Sequence, residues 1–400
     1  MKKMTRFISL LLAVIMLMAL CAGCGSDSAG SDSAGSGESS SGDSENTSEE
    51  NELTTVKIGI TPYSMYVIWA LADEWGIAED YGLDLELTSF TGTAQGAQAC
   101  VRGDVDITSA CVNEHIACVE TCTNLVNFSP LGDFRGFFFV GREAEISSWD
   151  SLVEEHDGDI EAAKEERLND FKGSSWCVIP QRKALIVDAI SQVGLTADDV
   201  TFIEFADDAK ACEAFLAGEG DYYTGGDQQQ MALMDMGGYV NAGGSDLLGP
   251  SGVWYDTFVC TDEFLNENYD LAKTVYECQL ATVNAFNNNQ QAGAEIASAY
   301  LTEATGSEYP VDDWFEMQTQ WDIYVTLEDA ANRFFNPEDS TYYWKTGADY
   351  NVKLLQDEGS ITSDVDTDYY FKQSEEMFND INSDEAAVEK INSYKTFEAP

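Results

Sequence analysis

The sequence predicts an α/β fold of two lobes, each a mostly parallel sheet flanked by helices, hinged around a central cleft. Two observations carry this. From Thr55 onward, short apolar stretches of period two alternate with longer helical stretches, the pattern of parallel strands joined by right-handed crossovers. The layout then repeats. "VRGDVDITSA" (101–110) has an echo in "LAGEGDYYTGG" (216–226): a helix ends at glycine, two residues pass, and an aspartate opens a short strand. Asp106 and Asp221 take the same place in two strand–helix–strand–helix–strand units.

In the first unit "VKIGI" sets Val56, Ile58 and Ile60 on one face, and Pro62 stops the strand. A helix follows with Met65, Ile68, Ala72 and Trp75 along one side. "YGLDLELTSF" alternates Leu83, Leu85 and Leu87 against Asp84 and Glu86, as a second strand should. The turn "TGTAQG" leads into a helix ending at Gly103, and "VDITSA" is the third strand. "GFFFVGR" (136–142) leaves the unit, and the charged stretch 147–169 reads as a helical surface excursion. The second unit runs "SSWCVIP", a helix over 181–194 stopped by Gly194, "DDVTFIEF", a helix over 208–218, and "DYYTGG". "GVWYDTFVC" is a further strand, and from Asp262 the pattern turns helical and aromatic. The expected organisation is a first lobe over 55–142, a second over 143–257, and a return to the first with C-terminal helices over 258–400.

Ahead of these units, Lys2, Lys3 and Arg6 precede an apolar run from Ile8 to Leu20 and the small residues before Cys24. That is the layout of a secretory signal peptide, residues 1–23. With cysteine at +1 it resembles the bacterial lipoprotein variant, which implies a diacylated, palmitate-type lipid on Cys24 and a place on the extracytoplasmic face of the cell membrane. The lipobox of that family prefers Leu where Cys21 stands; ordinary cleavage without lipid, or a retained anchor, are the alternatives. The apolar run is short for a span of about 20 residues. Residues 24–54 hold no aromatic and almost no large aliphatic side chain, so they read as a disordered acidic tether. Its r.m.s. reach is about 30 Å.

The formal net charge is −52. A polyanion of this kind is repelled by nucleic acid and by anionic lipid, so nucleic acid is excluded as a partner. Beyond Cys21 and Cys24 stand Cys100, Cys111, Cys118, Cys122, Cys177, Cys212, Cys260 and Cys278. An even number in an exported chain invites disulfides. Most sit inside apolar patterns such as "SACV", "WCVI" and "FVCT", so buried free thiols are the expectation.

The stretch "VKIGITPYSMYVIWALADEWGIAEDYGLDLELTSFTGTAQGAQACVRGDVDITSA" resembles the first lobe of solute-binding proteins of ATP-binding-cassette importers. The group is the nitrate/sulfonate/taurine and thiamine-precursor one. "FKGSSWCVIPQRKALIVDAISQVGLTADDVTFIEF" resembles its second lobe, and the likeness runs from Thr55 to about Asn289. The resemblance implies a two-lobed periplasmic-binding-protein fold, type II-like. It further implies a monomer that captures a small organic solute, a sulfonate-like anion or a heteroaromatic, and hands it to a membrane permease and its ATPase. No cofactor, no metal and no bond-making follow from it. Three features depart from the family: Gln181, Arg182 and Lys183 after Pro180, "GGDQQQ" after the last strand of the second unit, and the long insert before Lys172. One branch resembling the family makes a pyrimidine from its own histidine with iron, inside cells; this chain has an export signal and 2 histidines. A sensory or adhesion receptor on the same fold is the remaining alternative.

In open α/β sheets ligands sit beyond the carboxyl ends of the strands, near helix N-termini. That names Tyr63, Ser64, Tyr66, Thr91, Gly92 and Asn113 on the first lobe, with Thr93, Cys111 and Glu114 nearby. On the second it names Gln181, Arg182, Thr224, Asp227 and Trp254. Each has a structural counterpart. Ser64 and Thr93 suit helix N-caps, and Asp227 with Gln230 has capping-box spacing. Arg182 in a first helical turn opposes the helix dipole, a cost that an anionic ligand or a carboxylate would offset. His115, Cys118 and Cys122 share a helix face that is otherwise apolar, which favours core packing over metal binding. The chain contains no G-x-S-x-G, Walker or H-E-x-x-H motif.

Overall fold

The computed structural model describes residues 53–400, apart from 180–181, 206–207, 249–251, 253, 307, 340–341 and 358. The expected leader, Cys24 and tether lie outside the described residues. Among the described residues no helix is long and apolar enough to cross a membrane.

Among the described residues eleven strands form two sheets. They are β1 (Thr54–Ile60), β2 (Leu83–Ser89), β3 (Ile107–Cys111), β4 (Leu125–Phe134), β5 (Phe139–Arg142), β6 (Ser175–Val178), β7 (Thr201–Glu204), β8 (Tyr222–Tyr223), β9 (Tyr239–Gly243), β10 (Trp254–Thr261) and β11 (Asp322–Tyr324). The first sheet runs β2-β1-β3-β10-β4-β11 and the second β7-β6-β8-β5-β9. Each begins with the repeated unit in one order: its first strand lies between its second and third, all parallel. The predicted α/β architecture is therefore present.

The sheets are mixed rather than mostly parallel. β10, β4 and β11 are antiparallel additions to the first, β5 and β9 to the second. The reason is the way the chain changes lobe: it runs out along β4 into β5 and returns along β10, so a reversed strand lies beside the parallel unit in each sheet. Boundaries drawn at 142/143 and 257/258 thus cut beside β5 and through β10: β5 pairs in the second sheet and all of β10 in the first.

The repeated glycine–aspartate step has one physical meaning in both copies. Gly103 and Gly218 adopt φ of 76° and 93°, and the next amide reaches back five residues, Asp104 to Ala99 O at 2.9 Å and Glu219 to Ala214 O at 3.0 Å. This is the Schellman ending of a helix, which needs a residue tolerant of the left-handed region. Asp106 then exchanges two bonds with Lys57, amide to carbonyl and amide to carboxylate, both at 2.8 Å. Asp221 does the same to Ser175 at 2.7 Å. Each aspartate fastens the third strand of its unit to the first.

Each sheet has an apolar cluster on either face. Ile58, Phe258 and Trp69 join Trp314, Met377 and Ile391 of the C-terminal helices in one core, so the tail packs on the first lobe. Trp176, Phe139, Phe171 and Leu185 centre the core of the second.

Candidate functional site

Beyond Ile60 the chain passes Thr61 and Pro62 into a 3-10 turn, Ser64–Val67, that feeds the helix Ile68–Glu74. The side chains of this turn are directed inward. Ser64 donates its hydroxyl to Asp322 at the start of β11, and Tyr66 donates to Asp256 on β10. Trp314 Nε1 donates to Ser64 O at 3.2 Å, and the Tyr324 hydroxyl to Met65 O at 3.0 Å. Ser64 and Tyr66 are consequently buried, whereas Tyr63 is 51% exposed and stands 6.2 Å, ring to ring, from Tyr66.

The N-cap roles expected of Ser64 and Thr93 are not the ones found. The capping positions are Tyr63 and Gly92, without side-chain cap bonds. The Thr93 hydroxyl instead donates to Glu114 Oε2 at 2.5 Å. Asn113 Oδ1 accepts from the Cys111 thiol at 2.6 Å and from the Glu114 amide at 2.8 Å. Thr91 is exposed and Gly92 half-buried at the entry to the helix Thr93–Val101. The ends of β1, β2, β3 and β10 are thus stitched together by short polar side chains.

Burial, and then the neighbouring Asp322, push the Asp256 carboxyl well above the usual carboxylate range. Burial likewise raises the Tyr66 hydroxyl and the Cys111 thiol, with Asp256 and Glu114 adding to both. A carboxyl raised in the folded state holds more protons there than in the unfolded chain. Its contribution to stability is present at low pH and is lost as pH climbs from the ordinary carboxylate range toward the raised value. Asp256→Asn keeps an acceptor for Tyr66 and removes that loss. Its melting temperature relative to wild type is expected to climb as pH rises from the ordinary carboxylate range toward the raised value. A flat difference across that range would contradict the assignment.

At the end of β4, the buried Asp133 accepts from Arg135 at 2.8 Å and from Arg333 at 2.9 Å. Both guanidiniums lie over the Tyr342 ring, at 4.8 and 3.9 Å from its centroid. Burial pushes the Asp133 carboxyl up, against the opposing hydrogen bond and charge of Arg135 and the charge of Arg333.

On the second lobe, Arg182 is the N-cap residue of the helix Lys183–Ser191. Its guanidinium lies 4.5 Å from the Phe137 ring and 5.9 Å from that of Trp254. Trp254 packs edge-on to Phe137 at 4.6 Å. A cation of the second lobe, a ring of the crossover and a ring at the start of β10 are thereby brought together. The aromatic faces give the guanidinium partners where the helix dipole disfavours it. Thr224, just after β8, is fully buried. The helix begins one residue earlier than the expected Asp227–Gln230 capping box requires. Gly226 is the N-cap of the helix Asp227–Met236, and Gln230 reaches past it to Gly225 and Gly136. The side chain of Asp227 and all of Gln181 lie outside the described residues.

His115 is buried, with Nε2 3.0 Å from Leu125 O and its ring against Phe371 and Tyr370; burial lowers its pKa to about 4. The eight described cysteines are free. Among the described residues no cluster of His, Cys, Asp and Glu is placed to hold a metal ion. The sequence singles out none of Asp133, Arg135, Asp256, Asp322 and Arg333. The one available signal was scarcity: with 72 acids against 20 bases, a base away from the surface helices is informative.

No family model matches the chain, and no curated protein does. Solved structures do. The periplasmic aliphatic sulphonate binding protein SsuA from Escherichia coli superposes with a TM-score of 0.57 at 15% identity, over 79% of this chain and 91% of that one. The alkanesulfonate-binding protein SsuA from Xanthomonas axonopodis pv. citri, bound to MOPS, gives 0.51 at 13% identity, over 80% and 98%. The desulfurization enzyme DszB gives 0.51 at 11% identity, over 82% and 98%. At such identities the likeness is one of fold. The chain has the two-lobed periplasmic-binding-protein fold, and its neighbours include sulfonate-binding proteins of the group that its sequence resembles.

Proposed function

We propose that this chain is the solute receptor of an ABC importer, held outside the cell membrane by lipid on Cys24. It captures a small organic solute between its lobes and delivers it to a permease and its ATPase. One observation carries this reading: two sheets whose parallel units share one strand order, joined by connections that cross between them, with aromatic and cationic groups beside the crossings. The ligand contacts fall on Tyr63, Thr91, Gly92 and Asn113 of the first lobe, on Arg182 of the second, and on Trp254 at the start of β10. Ser64 and Tyr66, bonded inward to Asp322 and Asp256, hold Tyr63 in place. An exposed tyrosine and a guanidinium stacked on aromatic rings suit a sulfonate-like anion or a flat heteroaromatic.

DszB shows that the fold also serves an enzyme. The cysteine at the strand ends here is Cys111, whose thiol donates to Asn113 and is pushed up by burial, then by Glu114 and Asp256. A nucleophilic thiolate needs the opposite surroundings. This supports binding over catalysis.

The test is native mass spectrometry of protein expressed from Asn51, the start of the compact unit, followed by a thermal-shift screen. The screen takes in sulfonates, nitrate, pyrimidines, flavins and amino acids. A solute present at 100 times its Kd adds about 2.7 kcal/mol and raises the melting temperature by several degrees. A co-purified mass or one stabilising class establishes the receptor and its chemistry. Stabilisation by none of them, with no co-purified mass, counts against the importer reading and toward a receptor for a protein.

A further inference from the structure

The first crossover between the lobes is four residues long, Arg135 to Phe138, and its anchors divide within it. On the first-lobe side, Arg135 is tied to Asp133 at 2.8 Å, and its amide donates to Trp321 O at 2.8 Å. Phe138 packs on Trp321 at 5.5 Å. Gly136, next along, turns its carbonyl to the other lobe, where Gln230 Nε2 donates to it at 2.8 Å. Gln230 is fully buried, and its Oε1 faces the Gly225 amide at 3.4 Å. A Cβ on Gly136 would meet the Phe134 ring at 2.6 Å and Trp321 at 3.3 Å, so the backbone passes here with no room for a side chain. One amide therefore touches both the loop after β8 and the crossover peptide.

We propose that Gln230 is a positioning residue: it couples the loop Thr224–Gly226 to Gly136, so that the conformation of that loop sets the angle between the lobes. A buried amide suits this task. It holds an NH2 donor group and a carbonyl acceptor at a fixed angle, and leaving either unmet in the interior is costly, so loop and crossover move together. Thr224 adds a reason for the loop to have two settings. Among the described residues its buried hydroxyl has no hydrogen-bond partner. A solute contact that shifts the loop is transmitted through Gln230 to Gly136. The use of the coupling rests on the solute-receptor reading; the coupling itself does not.

The experiment is small-angle X-ray scattering on the whole chain without ligand, wild type beside Gln230→Met and Gln230→Glu, with melting temperatures on the same samples. Gln230→Met removes both contacts at nearly constant volume. Gln230→Glu keeps an acceptor for Gly225 and, once ionised at alkaline pH, sets a second acceptor against the Gly136 carbonyl in place of the donor. Both variants are expected to increase the radius of gyration and to shift the balance between lobe arrangements by about fivefold, the scale of one buried hydrogen bond. A lower melting temperature with a scattering profile identical to wild type would mean that Gln230 only packs, and would overturn the proposal. Should Gln230→Met fail to fold, Gln230→Glu decides alone. Because no ligand enters the measurement, it succeeds or fails separately from the solute screen.

Discussion

Asp133→Ala is expected to cost about 3–5 kcal/mol, the usual penalty for removing one partner of a buried ion pair. The size follows from what is left behind. Arg135 and Arg333 converge on this one carboxylate, and with it gone two guanidiniums share the Tyr342 ring with no anion between them. Repulsion then adds to desolvation. Arg333 keeps Asp329 at 3.8 Å, a longer and more exposed contact that makes up little of the loss. Differential scanning calorimetry would read the effect as a lowered melting temperature. Asp133→Ala combined with Arg135→Leu and Arg333→Leu should recover part of it, since apolar replacement of a whole buried ionic group is often close to neutral. A loss under about 1 kcal/mol would place the cluster among ordinary surface pairs.

The second large effect is on binding. Tyr63→Ala and Arg182→Ala should each weaken capture of the solute identified by the thermal-shift screen, while the empty protein melts within a few degrees of wild type. Tyr63 is exposed enough that truncation removes little burial. The stack of Arg182 on Phe137 and Trp254 contributes about 0.5–2 kcal/mol. The two variants also separate ligand classes. Charge-assisted hydrogen bonds of about 1.5–3 kcal/mol make an anionic solute lose roughly 10- to 100-fold with Arg182→Ala. A flat, uncharged ring suffers more from Tyr63→Ala. Isothermal titration calorimetry on both variants gives the comparison, and unchanged affinity in both would remove these residues from the site.

The parallel halves of both sheets were legible because their cues are local. Val56, Ile58 and Ile60 alternate within five residues, and the glycine–aspartate step closes within four. β4 was not legible, because Pro130 interrupts it and proline argues against an interior strand. The structure accommodates it where β11 pairs only with Gly132, Asp133 and Phe134, so the Pro130 edge needs no donor toward that strand. The membership of β10 was hidden for another reason. Its partners Cys111 and Phe134 lie more than a hundred residues upstream, and nothing in "GVWYDTFVC" tells one sheet from the other. The strand-end positions of Tyr63, Ser64 and Tyr66 followed from the βα pattern. The direction of their side chains did not, since it depends on Asp256 and Asp322, 190 and 258 positions away. Helix capping was misplaced at Thr93 and Asp227 for a smaller reason: the glycine one residue earlier takes the cap in both.

The placement of β10 between β3 and β4 has a consequence for biogenesis. A chain emerging N-terminus first displays β1 to β4 early, yet β3 and β4 share no edge; the strand that joins them ends at Thr261. All five strands of the second sheet are present by Gly243. The inserted lobe can therefore complete its sheet while the first still has a vacant slot at its centre. Until β10 arrives, that slot exposes two unpaired edges, the feature by which partly made sheets aggregate. The interval between residues 243 and 261 is thus where a chain of this design most needs a holding chaperone.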